Sequence, residues 1–471
     1  MSPGPAIERV SLADLMLLDC DVGPAPMQAG AVLLLDGGPR FDIGAATAMI
    51  AERITAVPRL RQVLARTPPG CGRPVWLDDS DFDIAAHVRS VPCEPPGDAA
   101  ALRRAWTAIA TQRLPWSRPL WSATFVTGLA DGQTGLVLMF HHVMADGIGG
   151  LAVLASLVDG AVRPAPVWSA PVWSAQAGQA QDDDARARFP RPLPSRGRLA
   201  AEAAGSAAAV AGRALRRAAS LREALTELDP AAVAWSAGSS LNGRTGARRS
   251  YDIARAGLAP IHAYARAHGA TVNDVMLLAV TRALASLVTA RGEVPGDLVA
   301  SVIVAARPAA DPSSLGNLVG TMPVRLPVGG ARADQLGLIA ASTRAHKTRR
   351  RGASGELLAP AFRVLAATGA LAWFINHQPF VNVFVTNLRG PQDRQRFAGA
   401  EITDLLPVTM VAGNVALSFA VLSYAGVISV VVTADPERIT DHGALAALLQ
   451  RELDELCEGA WPDPTLGQPG G

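Results

Sequence analysis

Cysteine is scarce in this 471-residue chain: Cys20, Cys71, Cys93 and Cys457 are the only four, and none forms a CxxC pair. Their wide separation speaks against a disulfide scaffold or a thiolate zinc site and fits reduced thiols in a cytosolic protein. An excess of one charge is missing too. The chain has 43 basic and 41 acidic residues, for a net charge of +2, so no global field favours nucleic acid. Between Met1 and Leu18 no basic stretch leads into an apolar core, so no secretory signal is expected and a cytoplasmic location is. A Gly-x-Ser-x-Gly elbow occurs nowhere, and no cysteine has an obvious base partner in sequence, which removes the usual signs of acyl-enzyme chemistry. Long hydrophobic runs are also interrupted. The longest, Leu405 to Thr433, is broken by Gly413, Asn414, Ser418, Ser423, Tyr424 and Gly426, and its second half is rich in Val, Ile and Thr. It reads as two buried strands joined at Tyr424-Ala425-Gly426, not as a membrane span.

What is present is a mixed α/β pattern on both sides of a compositional break. Strands are expected at 31–35, 122–127 and 135–140, and helices at 43–54, 99–112 and 148–158. Between Ala161 and Gly197 the composition turns to Pro, Ala, Ser, Gln and Asp, with the near-duplicate Pro-Val-Trp-Ser-Ala at 166–170 and 171–175. That stretch reads as a linker, and Trp168 and Trp173 as local anchors. The Ala-rich run Leu199 to Leu228, carrying Arg213, Arg216, Arg217 and Arg222, reads as a bridging helix. Helices at 258–268, 272–291 and 443–457 and strands at 298–305, 381–386, 415–422 and 427–433 follow. The division is 1–160, 161–240 for linker and bridge, and 241–471: two α/β halves around a central cleft.

Residues 141–147 read His-His-Val-Met-Ala-Asp-Gly, after the apolar run 136–140 and before a small-residue helix. Adjacent histidines at a strand end point to opposite sides, so one imidazole can face a cleft while the other anchors in the wall. Imidazole suits the general-base role at neutral pH. No third ligand stands at zinc-like spacing, so no metal is expected there.

His-His-x-x-x-Asp-Gly is the signature of acyltransferases related in fold to chloramphenicol acetyltransferase. Within that group the chain resembles the bacterial wax ester synthase/diacylglycerol acyltransferase family over nearly its whole length. The further blocks that carry the resemblance are Ser11-Leu12-Ala13-Asp14 with Pro26-Met27, Val57 to Gln62, Asp81-Phe82-Asp83 with His87-Val88, Arg118-Pro119-Leu120-Trp121, Thr271-Val272-Asn273-Asp274, Gly316-Asn317 through Met322 to Pro327, and Asn387 to Pro391. Three positions depart from the family pattern: Gln28-Ala29 after Pro26-Met27, Ile303 to Arg307, and Leu114-Pro115-Trp116. None falls within the histidine motif in sequence. They bear on the substrate more than on the reaction.

The resemblance implies two chloramphenicol-acetyltransferase-like halves forming a pseudo-dimer around a cleft or tunnel. It also implies direct acyl transfer from a long-chain acyl-CoA co-substrate to a lipid alcohol, with no bound cofactor. His142 is then the general base, His141 its support, and Asp146 a loop anchor with Arg307 as a candidate partner. Gly147 is a tight-turn residue, and a side chain at its position would crowd the channel. Asn273 reads either as an N-cap or as a group near the acyl carbonyl or acceptor. Asp274 reads as structural in the first helical turn, with substrate binding beside Asn273 as the alternative. Pro119, Leu120 and Trp121 are expected to pack beneath the site. The cluster Arg344, His346, Lys347, Arg349, Arg350 and Arg351 precedes the largely apolar stretch 357–375, which reads either as a contact with an anionic bilayer or lipid inclusion or as a solvated turn before a core helix. Two other functions fit the same motif: a transferase acylating a natural-product alcohol or amine, with a carrier-protein thioester as donor, and a non-catalytic lipid-surface protein.

Overall fold

Strand and helix signals in the first half resolve, in chain order, as α1 (Leu12–Cys20), β1 (Gln28–Asp36), α2 (Ile43–Arg53), the hairpin β2 (Gln62–Ala65) and β3 (Val75–Asp78), β4 (Val88–Pro92), α3 (Ala99–Ala110), β5 (Trp121–Thr127), β6 (Thr134–His141) and α4 (Gly147–Leu157). The second half continues with β7 (Ser250–Gly257), α5 (Leu258–Ala267), α6 (Val272–Ala290), β8 (Leu298–Ala305), β9 (Val319–Leu326), α7 (Arg332–Thr348), α8 (Leu371–His377), β10 (Val383–Arg389), β11 (Arg396–Phe397), β12 (Ala400–Val408), β13 (Leu417–Tyr424), β14 (Val427–Ala434) and α9 (His442–Glu458). The structure, a computed structural model, describes residues 7–38, 41–160, 189–206, 239–305, 319–348, 365–366 and 368–458. The Trp168/Trp173 duplication, the bridging helix beyond residue 206, Arg307, Gly316-Asn317 and Arg349 to Arg351 lie outside the described residues.

Two six-stranded sheets carry the fold, in the orders β11-β12-β1-β6-β5-β4 and β7-β14-β13-β10-β8-β9. Both are mixed: β4 runs parallel to β5, and β10 runs parallel to β13 and β8, while the other pairings are antiparallel. The first sheet is not built from the first half alone. Its β12 comes from the far end of the chain and pairs with β1 from Gly30↔Val408 to Asp36↔Glu401. Tyr424 of the second sheet fastens this exchange, its hydroxyl donating to Ile402 O at 2.8 Å and accepting from Gln395 N at 2.8 Å. Asp159, just past α4, accepts from Gly399 N at 2.7 Å and Ala398 N at 3.2 Å. These two backbone donors are the turn between β11 and β12.

The expected pair of strands inside 405–433 is the β13–β14 hairpin. Its two-residue turn puts Ala425 at φ 48° and Gly426 at φ 82°, the left-handed pair that matches strand twist. Pro323 sits in β9, an edge strand, where a missing N–H costs no interior ladder bond. α6 is long and apolar enough to span a membrane, yet Val275 to Val280 are all buried in the second half's core, against a leucine stripe on α9 (Leu445, Leu449, Leu453, Leu456). A separate cluster joins the halves. Val32, Trp106 and Val137 from the first meet Tyr251 and Val431 from the second, and the Trp106 and Tyr251 rings stack at 4.4 Å.

Candidate active site

β6 ends at His141, and the chain then breaks away for the turn that leads to α4. The first histidine is buried, 3% exposed. Its Nδ1 accepts the Val143 N–H at 3.1 Å, so the ring proton resides on Nε2, which faces Asp21 Oδ2 at 3.3 Å. Its own N–H is held by Leu120 O at 2.9 Å, and the Trp116 ring tilts against it at 5.0 Å. His142 is half-buried, its backbone N–H donating to Met27 O at 2.9 Å. The structure thus separates the pair as the alternation of a strand end requires: one imidazole locked in the wall, one less enclosed.

Asp146 is the N-cap of α4, its carboxylate accepting from Gly149 N at 2.7 Å, and it is 1% exposed. The carboxylate fixes the start of the helix that follows the histidines. The arginine expected to pair with it, Arg307, is outside the described residues. Gly147 is the first residue of α4, and its φ is not in the left-handed region, so the expected tight-turn role gives way to a packing one. A Cβ there would come within 3.1 and 3.2 Å of the Leu388 methyls on β10. The motif of the first half therefore abuts a strand of the second.

The same strand brings Asn387, whose Nδ2 donates to Asn273 Oδ1 at 3.3 Å. Asn273 is not the N-cap of α6. That position belongs to Thr271, whose side chain and Asp274 bond each other's backbone N–H reciprocally. Asp274 Oδ1 also accepts from Thr343 Oγ1 at 2.7 Å, and Asp274 is 1% exposed, which makes it structural. Thr271 satisfies the helix end, so the Asn273 amide is left to meet Asn387. Two asparagines from separate motifs thus converge beside the strand that touches Gly147.

Other blocks prove to be supports. Ser11 caps α1 by accepting from Asp14 N at 3.0 Å. Trp121 donates through its ring N–H to Leu60 O at 2.7 Å and stacks on His87 at 4.6 Å, which in turn stacks on Phe82 at 5.1 Å. Burial lowers the His87 pKa, so this imidazole is kept neutral inside the stack. Burial and neighbouring Asp19 push the Cys20 thiol up to about 12, which disfavours its thiolate. Among the described residues no three His, Cys, Asp or Glu side chains group as metal ligands. A small cavity at the seam, lined by Cys20, Met27, Arg244, Thr245, Ile375 and Gly413, lies against the strand start that holds His142.

Asp21 is the site residue that motif reading passed over. It lies inside the Ser11 to Met27 block, but no spacing rule ties it to histidines 120 residues later.

The wax ester synthase/diacylglycerol acyltransferase catalytic-domain model matches residues 10–276, and the C-terminal-domain model of the same family matches residues 315–457. A Mycobacterium tuberculosis protein named as a probable diacylglycerol O-acyltransferase is 31% identical over 437 residues, spanning 91% of this chain and 90% of its own. Among solved structures, the wax ester synthase/diacylglycerol acyltransferase of Marinobacter aquaeolei superposes with a TM-score of 0.65 at 21% identity, covering 96% of this chain and 99% of its own. The first condensation domain of the calcium-dependent antibiotic synthetase gives 0.61 at 17%, covering 97% of each chain. The fold is therefore the one implied by the histidine motif, and the chain belongs to the wax ester synthase/diacylglycerol acyltransferase family.

Proposed function

We propose that this protein is an acyl-CoA-dependent O-acyltransferase that esterifies diacylglycerol or a long-chain fatty alcohol, giving triacylglycerol or wax ester. The observation that supports the reading is the contrast between the buried, hydrogen-bonded His141 and the half-buried His142 beside it, in a chain of this family. His142 accepts the acceptor's hydroxyl proton while the oxygen attacks the thioester carbonyl. The C–O ester bond forms, the C–S bond breaks, and the departing thiolate takes the proton back from the imidazolium. Proton transfer of this kind contributes ~10²–10⁴-fold in rate. The amides of Asn273 and Asn387, bonded to each other at 3.3 Å, are assigned to orienting the acyl carbonyl or the acceptor, and positioning supplies the remainder.

The acceptor is a water-insoluble lipid alcohol and the donor carries a long acyl chain, so peripheral contact with the inner face of the membrane or with lipid inclusions belongs to the same proposal. Trp373 on α8, 66% exposed, and the basic residues from Arg344 onward support it. Co-sedimentation with anionic vesicles, with Arg349 to Arg351 replaced by Ser, tests this part; undiminished binding removes it.

The chemistry is tested by His142→Ala. Ester formation from one long-chain acyl-CoA, screened against several alcohols by lipid mass spectrometry, should fall by ~10²-fold or more with the folded state retained. Full activity in the folded variant would end the assignment. Parallel assays with an acyl-carrier-protein donor distinguish the carrier-dependent alternative.

A further inference from the structure

Two histidines adjacent in sequence behave differently, and a single carboxylate grips both. Asp21 Oδ2 accepts the His141 Nε2–H at 3.3 Å. Its Oδ1 accepts the Met27 N–H at 3.3 Å, and the carbonyl of that same Met27 accepts the His142 N–H at 2.9 Å. One side chain therefore holds the ring of His141 directly and the backbone of His142 through one residue. Arg113 Nη1 donates to both Asp21 oxygens, at 3.3 and 3.2 Å, and its Nη2 donates to Gly23 O at 2.5 Å, bracing the carboxylate from the solvent side. The His141 and Asp21 side chains are only 4% and 5% exposed, so their geometry is not diluted by water.

We infer that Asp21 is a positioning residue for the transfer reaction, fixing the tautomer of His141 and the backbone of His142 so that the base meets the acceptor hydroxyl in one place. The inference rests on the reading of His142 as the base. Outer-shell carboxylates of this kind orient imidazoles without touching substrate. Burial opposes ionisation, but the His141 hydrogen bond and the Arg113 charge outweigh it and hold the Asp21 carboxyl below its usual range. The clamp is thus made of a charged acceptor with two oxygens, each already assigned a donor.

Asp21→Asn tests this with almost no change of shape. An amide has one acceptor oxygen, and its NH₂ must face either the Met27 N–H or the His141 Nε2–H, so one arm of the clamp is lost whichever way it turns. Turnover should fall about 10- to 100-fold while KM for acyl-CoA and alcohol each stay within about twofold, as expected for a misplaced base. The ¹⁵N shifts of His141, a single Nε2–H tautomer in the parent, should become those of a mixture. Asp21→Glu restores both oxygens and recovers part of the rate. Arg113→Gln, on a largely exposed side chain, lowers kcat by a few-fold. An Asp21→Asn variant with parental kcat, or one whose rate loss merely tracks its unfolded fraction while the His141 tautomer is unchanged, overturns the assignment. Failure of the base reading shows separately, as ester formation that survives His142→Ala.

Discussion

The two sheets are alike in size and unlike in independence. The second, with α5, α6 and α9, draws all its strands from residues 250–434 and packs them on one large cluster. The first carries the histidine motif but has β11 and β12 on loan from the second half, and Leu422 and Tyr424 of β13 in its core. The histidine motif is thus carried by the dependent sheet, and the second half brings Leu388, Asn387 and Asn273 up to it from across the seam. A site assembled this way exists only when both parts are docked. Fold stability and catalytic geometry should therefore respond to the same few contacts.

The contact expected to matter most is Trp106 on Tyr251. Trp106 is 0% exposed, and Trp106→Ala should cost ~3–5 kcal/mol. Denaturant unfolding followed by two probes should separate into two steps, with the second half's core surviving the first. A single coincident transition would place the weak point elsewhere. Next is Asp159→Ala, which removes the acceptor for Ala398 and Gly399 and the partner of Arg53 at 3.0 Å, with an expected cost of ~1–3 kcal/mol. Amide exchange should then rise selectively along β11 and β12; uniform exchange would mean that the strands are held by other means. Gly147→Ala should cost ~1 kcal/mol by pressing on Leu388, and Leu388→Ala in the same chain should relieve it. Additive effects in that double-mutant cycle would deny the contact across the seam.

The smallest effect expected is that of acid. His87 has a folded pKa lowered by burial, so as pH falls below the unfolded value of about 6.5 the unfolded chain takes up a proton that the native one refuses. Stability present above that pH is lost as it falls toward the folded pKa. Melting temperatures at pH 7.5 and 5.5 should differ less in His87→Gln than in the parent, after allowing for that variant's own lower stability.

Where an element's own residues decide it, the sequence was a good guide. Leu298–Ala305 has the bounds its apolar run suggests, and the hairpin around Ala425-Gly426 shows as a break in an apolar run whose second half is rich in Val, Ile and Thr. β12 was hidden for the opposite reason. Its segment, Ala-Glu-Ile-Thr-Asp-Leu-Leu-Pro-Val, alternates well enough for a strand, but nothing local says that its partner is β1. At the site, strand alternation said that the two imidazoles would face opposite ways, while which of them is the wall anchor came from the resemblance, and the buried ring is that of His141. Asn273 was half legible, since the N-cap proved to be Thr271, and its partner Asn387 was known only as part of another block. Asp21 was not legible, because a carboxylate's importance there depends on which way a loop before β1 turns.

The borrowed strand also sets an order of assembly. Thr403 of β12 donates to Leu34 of β1, 369 residues earlier. During synthesis the edge of β1 that β12 will cover has no partner until nearly all the chain has left the ribosome, and such distant pairings form slowly because the loop must close first. A truncated product would carry both histidines on a sheet with an open flank and no Asn387 opposite. Half-finished chains should therefore be inert toward thioesters, and their exposed edge is the natural place for a chaperone to bind.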